Sequence, residues 1–391
     1  MIERIAEKKL IALGKGFQSV AVIGPRQSGK TTLVRSVFPD KPYVSLENPD
    51  TRRFAIEDPR GFLHTYEKGA ILDEVQRAPH LFSYLQEVLD ESKTKGLFIL
   101  TGSNNFQLQE SISQSLAGRI AYLNLLPFSL EELVTLKSFS LNDNELMLNG
   151  FYPPIYDQEI SSVDWSRNYI STYIEKDVRQ IKNVNDLIVF ERFLSLLAGR
   201  CGQELNLSAL AVETGVDMKT IQSWIGILEN SFIIFLLRPH YNNFKKTIVK
   251  RPKLYFYDTA MICSLLRITI TEQLDTHPLR GFVFENLVVA ELEKARVHRN
   301  LNCQLFYWRD KSGHEIDVVI DSGNKLLPIE IKSGMTISQD AYKNLKWWKS
   351  LTGNEKSIVL YAGKELQKSS TGNTTINWRD YLLGDFDSGS V

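Results

Sequence analysis

A phosphate-loop motif near the amino terminus is the feature that most constrains the fold of this 391-residue chain. It fits the pattern G-x-x-x-x-G-K-[ST], and its residues are Gly24, Pro25, Arg26, Gln27, Ser28, Gly29, Lys30, Thr31 and Thr32. An apolar run at 20–23 precedes it and an amphipathic stretch at 31–37 follows it, which predicts a strand–loop–helix unit. Such a unit predicts a nucleoside triphosphate site. In it, Lys30 reaches the β/γ-phosphates and Thr31 contacts Mg²⁺, whereas the plainer alternative is a glycine turn with a surface lysine.

A second apolar run, 69–72, ends in the acidic pair Asp73 and Glu74. Because parallel strands place their carboxyl ends at one edge of a sheet, we expect both acids to lie beside the phosphate loop. Asp73 is predicted to hold Mg²⁺ through water and Glu74 to polarise the attacking water. A solvated turn is the alternative for an Asp-Glu pair that stands by itself.

Two further groups are candidates for contacts to the nucleotide. The apolar run 96–100 is followed by Ser103 and Asn104, either of which could hydrogen-bond the γ-phosphate or the water. Capping of the next helix is the alternative role for these side chains. Arg119 precedes another predicted strand, 120–126, and is a candidate arginine finger for the nucleotide of a neighbouring subunit. A plain surface arginine is the other interpretation.

These segments resemble a prokaryotic family of AAA-type ATPases in which a region of formerly unknown function follows the ATPase core. The resemblance covers nearly the whole chain, and the segments that carry it are 24–32, 72–76, 100–103, 115–119, 150–154, 173–178 and 253–258. It implies ATP and Mg²⁺ as cofactors, the sensor 1 role for Ser103 or Asn104, and a homo-oligomer as the active form. The lid region shows no clear arginine motif for a second sensor.

The middle of the chain predicts a helical lid and then a winged helix. Ser129 and Glu132 form a capping-box pattern at the start of the lid. Further on, helices are predicted on either side of a turn at Gly215, followed by a strand at 232–237, which is typical of a helix-turn-helix with a wing. The wing is expected to be basic, and its cations are Lys245, Lys246, Lys250, Arg251 and Lys253. Both phosphate contacts to DNA and subunit packing fit this pattern.

The last third carries a second group of charged residues. Asp317 begins a predicted strand, and Glu330 and Lys332 lie two residues apart, on one face of the next strand. Two converging carboxylates bind a divalent metal, a nearby lysine can help to deprotonate water, and Glu285 of the preceding helix could add a ligand. The pattern resembles the PD-(D/E)xK nuclease fold, with Ile316 in place of the proline. An inactive fold with an amphipathic edge strand is the alternative.

The predicted class is therefore α/β, with a P-loop AAA-type ATPase core, a helical lid, a winged-helix middle domain and a restriction-endonuclease-like α/β C-terminal domain. The predicted boundaries are 1–127, 128–182, 183–262 and 278–391. The predicted function is ATP hydrolysis coupled to metal-dependent cleavage of DNA. The alternative is a nucleotide-driven regulatory or assembly switch whose nuclease-like domain is an inactive interaction module.

Bulk properties predict a cytoplasmic protein without a membrane partner. The formal net charge is zero, so no overall basic character points to a polyanion. The three cysteines are far apart in sequence, which argues against a disulfide framework. The amino-terminal residues lack the apolar core of a signal peptide, and no apolar run reaches membrane-spanning length.

Overall fold

The structure, a computed structural model of the chain, describes residues 2–103, 116–136, 139, 142–174, 187–240, 250–370 and 372–384. The chain forms two compact units. The first comprises Met1–Phe128 with the short segments Asn230–Phe232 and Val297–Asn300, and the second comprises the remainder. The predicted division into four domains stays a prediction.

The first unit is built on a parallel sheet. Its strands are β1 (Ser19–Ile23), β2 (Tyr43–Ser45), β3 (Ala70–Asp73), β4 (Phe98–Gly102) and β5 (Ile120–Asn124). Its helices are Ala6–Gly16, Lys30–Val37, Pro49–Glu57, Pro59–Thr65 and Leu81–Glu91, with a 3₁₀ turn at Val75–Arg77. Over the described residues the strand order is β2-β3-β4-β1-β5, and every neighbouring pair is parallel. This confirms the predicted α/β class with a parallel sheet.

The central strands are covered on both faces. β1, β3 and β4 are buried along their whole length, as expected when helices pack on each side of a parallel sheet. Side chains of the sheet form one core with the flanking helices, and its members include Ala6, Leu10, Val20, Val22, Leu33, Val34, Ile71 and Ile99. Because the strands are parallel, the carboxyl ends of β1, β3 and β4 meet at one edge.

The second unit begins with helices. They are Leu130–Leu133, Asp143–Asn149, Pro153–Asp157, Ser162–Tyr169, Leu187–Ala198, Leu207–Thr214, Met218–Asn230, Thr259–Leu265 and Thr271–Thr276, with a π-helix at Ile170–Ile174. Ser129 caps the first of them, and Glu132 completes the predicted capping box. Two antiparallel strands, β6 (Ile234–Leu237) and β7 (Lys253–Phe256), follow the Met218–Asn230 helix. The winged-helix assignment stays a prediction, and Lys245 and Lys246 lie outside the described residues.

A mixed sheet forms the end of the second unit. Its strands are β8 (Gln304–Arg309), β9 (Glu315–Asp321), β10 (Leu326–Lys332), β11 (Ser357–Tyr361), β12 (Gln367–Lys368) and β13 (Asn373–Asn377). Its helices are Arg280–His298, Lys343–Thr352 and Trp378–Leu383, with a 3₁₀ turn at Gln339–Tyr342. In the part of the chain that is described, the order is β12-β13-β11-β10-β9-β8, with β8-β9-β10 antiparallel and β10-β11-β13 parallel. Trp308, Trp348 and Val359 share a core on this sheet. Among the described helices none is both long and apolar enough to cross a membrane.

Candidate functional site

The phosphate loop follows β1 at the carboxyl edge of the parallel sheet. At two of its positions the backbone requires glycine. A Cβ at Gly24 would lie 2.1 Å from the carbonyl oxygen of Leu125, which leaves no room for a larger residue. Gly29 has a φ of 90°, in the left-handed region that favours glycine, and directly precedes the helix Lys30–Val37. The loop therefore takes its path because of glycine at both ends.

Lys30 points into the loop and is 6% exposed. Its Nζ donates to the carbonyl oxygens of Gly24, at 3.0 Å, and of Pro25, at 2.7 Å. Burial lowers the pKa of Lys30 to about 8, while the charges of Glu74 and Asp73 act in the opposite direction. An ammonium held by carbonyl oxygens can exchange them for phosphate oxygens, which form stronger charge-assisted hydrogen bonds.

Three hydroxyl groups converge on the carboxylate of Asp73 at the end of β3. Thr31 Oγ1 lies 3.2 Å from Oδ1, and Tyr43 donates its hydroxyl to Oδ2 at 2.6 Å. Thr101 donates to Oδ1. Burial and the hydrogen bond to Asp73 raise the pKa of Tyr43 to about 12. The oxygen atoms of Thr31 and Asp73 adjoin one another, and this donor set suits Mg²⁺.

Sequence reasoning gave no role to Tyr43 or Thr101. Both reach Asp73 through strand register: β2 pairs Ser45 with Asp73, and β3 pairs Leu72 with Leu100, the neighbour of Thr101. Thr101 carried a usable signal, since it directly follows a predicted strand of the same sheet. Tyr43 carried none, because it begins its strand rather than ending it.

Glu74 follows β3 in an unusual backbone conformation. Its φ is 55°, in the left-handed region that residues other than glycine rarely adopt. Its carboxylate accepts hydrogen bonds from Ser103 Oγ, at 3.2 Å, and from the side-chain amide of Gln76. Ser103 is therefore in place to orient Glu74, whereas Asn104 lies outside the described residues.

Arg119 lies far from the phosphate loop of its own chain. It directly precedes β5, at the amino edge of the parallel sheet, whereas the loop leaves the carboxyl edge of β1. One five-residue strand separates these edges by about 16 Å. The Arg119 guanidinium forms an ion pair with Asp90 and is 28% exposed. This position does not allow a direct contact to the nucleotide of its own chain, and the contact to a neighbouring subunit stays a prediction.

Arg4 contacts the phosphate loop although it lies far from it in sequence. No sequence motif predicts this contact. Its guanidinium donates to the carbonyl oxygens of Ser28 and Leu126, each at 2.7 Å, and lies 4.8 Å above the centre of the Phe128 ring. Arg4 is 7% exposed. Within the described residues Ser28 Oγ is buried without a hydrogen-bond partner, which leaves a polar atom in the loop for a bound nucleotide.

The C-terminal carboxylates also come together. Asp317 on β9 and Glu330 on β10 are 8% and 5% exposed. Asp317 Oδ2 accepts a hydrogen bond from the backbone of Ile331 at 2.8 Å, and Lys332 Nζ lies 2.7 Å from Glu330 Oε1. Burial, reinforced by the charge of Asp317, raises the pKa of Glu330 to about 8. The predicted residues thus share one cluster, and their catalytic roles stay predictions.

Lys253 of β7 lies inside this cluster, which the sequence did not predict. Its Nζ is 3.1 Å from Glu285, 2.5 Å from Glu315 and 3.9 Å from Asp317. The pKa of Lys253 is well above its usual value: burial opposes the charge most strongly, but Tyr255 and the three carboxyl groups outweigh it. Lys253 is 3% exposed, so its expected place among the cations of a basic wing is wrong.

This arrangement does not fit a divalent metal. An ammonium already lies among the carboxylates, since Lys253 Nζ is 3.1 Å from Glu285, 2.5 Å from Glu315 and 3.9 Å from Asp317. In the described ranges no three His, Cys, Asp or Glu side chains are arranged to hold a metal ion. The predicted roles of Asp317 and Glu330 as metal ligands stay predictions without geometric support.

Comparison with known proteins places the chain in a family. Proteins of Mycobacterium bovis and Mycobacterium tuberculosis, both described as uncharacterized, are each 30% identical to it over 330 residues. The alignment covers 82% of this chain and 71% of each relative. The chain belongs to the family of these mycobacterial proteins. Residues 16–134 match the family described as an AAA domain, so this member carries an AAA-type ATPase domain.

The other regions of this family member match domains of unknown function. Residues 142–272 match DUF8612 and residues 280–381 match DUF4143, each described only in those words. Their limits cover the helical region with β6 and β7, and the mixed sheet, respectively. The matches therefore assign no activity to the second unit.

Several solved structures show a weaker likeness. The Walker-type ATPase of Pyrococcus abyssi is 14% identical, and the match covers 68% of this chain and 96% of that one with a TM-score of 0.44. AMPPCP-bound DnaA of Aquifex aeolicus is 14% identical, and the match covers 57% of this chain and 85% of that one with a TM-score of 0.30. RuvB of Thermotoga maritima is 17% identical, and the match covers 60% of this chain and 86% of that one with a TM-score of 0.29. Likenesses at these scores carry no argument about function.

Proposed function

We propose that this chain hydrolyses ATP with Mg²⁺ at the carboxyl edge of its parallel sheet. The observation that carries the proposal is the placement of Asp73 beside Thr31, with the two oxygens 3.2 Å apart and Glu74 next in the chain. The AAA domain match over residues 16–134 supports the same activity. Phosphate release from ATP by the purified chain, measured with Mg²⁺ and then with excess EDTA, tests the proposal. Release that persists in EDTA would contradict it.

Each group of the loop has a separate task. The loop N–H groups and Lys30 bind the phosphates, and Thr31 and Asp73 hold Mg²⁺. When bound there, Mg²⁺ would supply positive charge beside the phosphates. The hydroxyls of Tyr43 and Thr101 fix the Asp73 carboxylate, since both donate to it. Arg4 keeps the loop in its path because it binds the carbonyl oxygen of Ser28.

Glu74 accepts the proton of the attacking water in this proposal. Its backbone is left-handed, and Ser103 and Gln76 hold its carboxylate by hydrogen bonds. A base must be oriented within hydrogen-bond reach of the water it activates, and these two donors supply the orientation. Ser103 therefore assumes the predicted sensor role, and Asn104 stays an alternative.

We further propose that the active form is a homo-oligomer in which Arg119 reaches the nucleotide of a neighbour. Arg119→Ala is expected to lower hydrolysis by about 10³-fold, because an arginine finger neutralises transition-state charge. In a mixture with Glu74→Gln subunits, which keep Arg119 but lack the base, activity should exceed the sum of the two variants. Phosphate release at varied mixing ratios provides the measurement.

The matched control for this mixing experiment is Arg60→Ala. Arg60 forms an exposed ion pair with Glu87 of the helix Leu81–Glu91, the same helix that supplies Asp90 to Arg119. Loss of this pair should leave hydrolysis nearly unchanged, since exposed pairs contribute little. If the activity of the mixture equals the sum of the two variants at every mixing ratio, the proposed contact of Arg119 with a neighbouring subunit is wrong.

For the C-terminal region we favour the role of an interaction module in a nucleotide-driven switch over that of a nuclease. The observation behind this choice is the ion-paired state of Asp317, Glu285 and Lys253. With Lys253 between the carboxylates, the described residues offer no three side chains arranged to hold the metal that phosphodiester cleavage by such a fold requires. DNA remains a predicted partner of the middle region, where Lys250 and Arg251 are candidates for phosphate contacts.

DNA cleavage is therefore expected to be absent. Supercoiled, branched and single-stranded DNA incubated with the chain, ATP and Mg²⁺ or Mn²⁺ should stay intact on a gel. Asp317→Ala and Lys332→Ala serve as controls, because cleavage that persists in both variants comes from a contaminant. Cleavage by the wild type that both substitutions abolish would establish the nuclease and contradict the interaction-module role.

A further inference from the structure

The carboxylate cluster of the C-terminal sheet carries an inference that is independent of ATP hydrolysis. Glu285 belongs to the helix Arg280–His298, and Glu315 and Asp317 belong to β9. Their carboxylates surround Lys253 Nζ at 3.1, 2.5 and 3.9 Å. Proteins also use several carboxylates to hold a divalent ion. In the described part of the chain, with the Lys253 ammonium between these carboxylates, no three His, Cys, Asp or Glu side chains are arranged to hold one.

We propose that the Lys253 ammonium replaces a divalent metal and fixes the strand β7 to the C-terminal sheet as a permanent internal counter-ion. Lys253 is 3% exposed and Glu285 is 14% exposed at its side chain, so water screens the pair very little. A buried carboxylate cluster requires a cation, and the chain supplies its own. A free metal ion has no place while the lysine is present.

The strand that carries Lys253 is fastened along both edges. β7 pairs with β6, with Lys253 opposite Leu237, and on the other side Leu254 exchanges backbone hydrogen bonds with Gly202 and Gln203, at 2.8 and 3.0 Å. These contacts hold the lysine in the cluster independently of its charge. The position of Lys253 in the cluster therefore follows from the backbone pairing of β7.

Side chains of the helix Arg280–His298 reinforce the same position. Tyr255, two residues after Lys253 and on the same face of β7, donates its hydroxyl to Glu285 at 2.7 Å. Asn286 binds both backbone groups of Phe256, at 2.8 and 2.9 Å. Neighbouring positions on this helix thus bind neighbouring positions on β7, which fixes the register between them.

Outer ion pairs complete the balance of charge. Arg309 lies 3.3 Å from the second oxygen of Glu315 and 2.9 Å from Glu204. Lys332 pairs with Glu330 at 2.7 Å on the neighbouring strand. The cluster thus holds cations of the chain on each side, and a divalent ion would add charge that the carboxylates no longer need.

Mn²⁺ binding to the full chain tests the replacement, with an Asp73→Asn background that removes the carboxylate of the ATPase metal site. Free Mn²⁺ is measured by electron paramagnetic resonance without nucleotide. The parent should bind no more Mn²⁺ than the same chain with Asp317→Asn. Lys253→Ala should bind it at least about tenfold more tightly than the parent and gain thermal stability from it, and Asp317→Asn should cancel both effects.

Lys253→Arg is the matched control, because it keeps the cation and should stay without Mn²⁺. Mn²⁺ binding by the parent that depends on Asp317 would overturn the proposal, and so would a folded Lys253→Ala chain that binds none. Should Lys253→Ala not fold alone, recovery of folding with Mn²⁺ supports the replacement and failure to recover contradicts it. None of these outcomes depends on ATP, so they do not test the proposed hydrolysis, which is tested by phosphate release.

Discussion

Glu74→Gln is expected to lower kcat for ATP hydrolysis by about 10²- to 10⁴-fold, the range typical for loss of a positioned general base. The affinity for ATP should change little, because the phosphates contact the loop and Lys30 and not Glu74. Glutamine keeps the size of the side chain and its acceptor oxygen, so Ser103 retains a partner. Phosphate release gives kcat, and equilibrium binding of a labelled nucleotide gives the affinity.

The matched control is Glu57→Gln, at the exposed end of the helix Pro49–Glu57 in the same unit. It makes the same chemical change away from the sheet edge and should leave kcat unaltered. A Glu74→Gln chain with wild-type kcat would show that another group activates the water, whereas weakened ATP binding would place Glu74 against the phosphates.

Lys30→Ala is expected to weaken ATP binding by about 30- to 4,000-fold, and hydrolysis should be lost at ordinary ATP concentrations. The range corresponds to about 2–5 kcal/mol for removal of one partner from a buried charge-assisted contact. The ammonium already lies within the loop, where Lys30 is 6% exposed, so its loss removes a buried positive charge from beside the phosphates. Isothermal titration with a non-hydrolysable ATP analogue measures the change.

Folding must be separated from binding in this test. Lys8→Ala, in the exposed part of the helix Ala6–Gly16, provides a control that removes a lysine from the same unit. Thermal unfolding of both variants without nucleotide should show an intact fold. If Lys30→Ala bound ATP as tightly as the wild type, the phosphate loop would not be the nucleotide site.

The parallel sheet could be predicted well, because each of its strands is marked in the sequence by a short run of neighbouring residues. The runs before the phosphate loop and before Asp73 are short and apolar, and each is a strand that is buried on both faces. The loop glycines also signal their positions, because a Cβ at Gly24 would meet the Leu125 carbonyl oxygen and Gly29 has a φ of 90°. Strand ends in a parallel sheet then meet at one edge, and this rule placed Asp73 beside Thr31.

Contacts between distant segments could not be predicted in the same way. Arg4 binds the carbonyl oxygen of Ser28, and no spacing rule joins these positions. Tyr43 reaches Asp73 because of the register of β2 on β3, which depends on packing of the whole sheet. Lys253 looked like one more cation in a basic stretch. Its burial depends on how β7 docks against the helix Arg280–His298, a property of the tertiary structure.

Single-turnover release of phosphate from Mg²⁺-ATP tests the central claim most directly, because it isolates the chemical step at the sheet edge. With chain in excess over labelled ATP, the wild type should release phosphate in one exponential phase. Glu74→Gln should bind the same ATP and release phosphate about 10²- to 10⁴-fold more slowly. Equal rates for the wild type and Glu74→Gln, or no release by the wild type in its assembled form, would contradict the account.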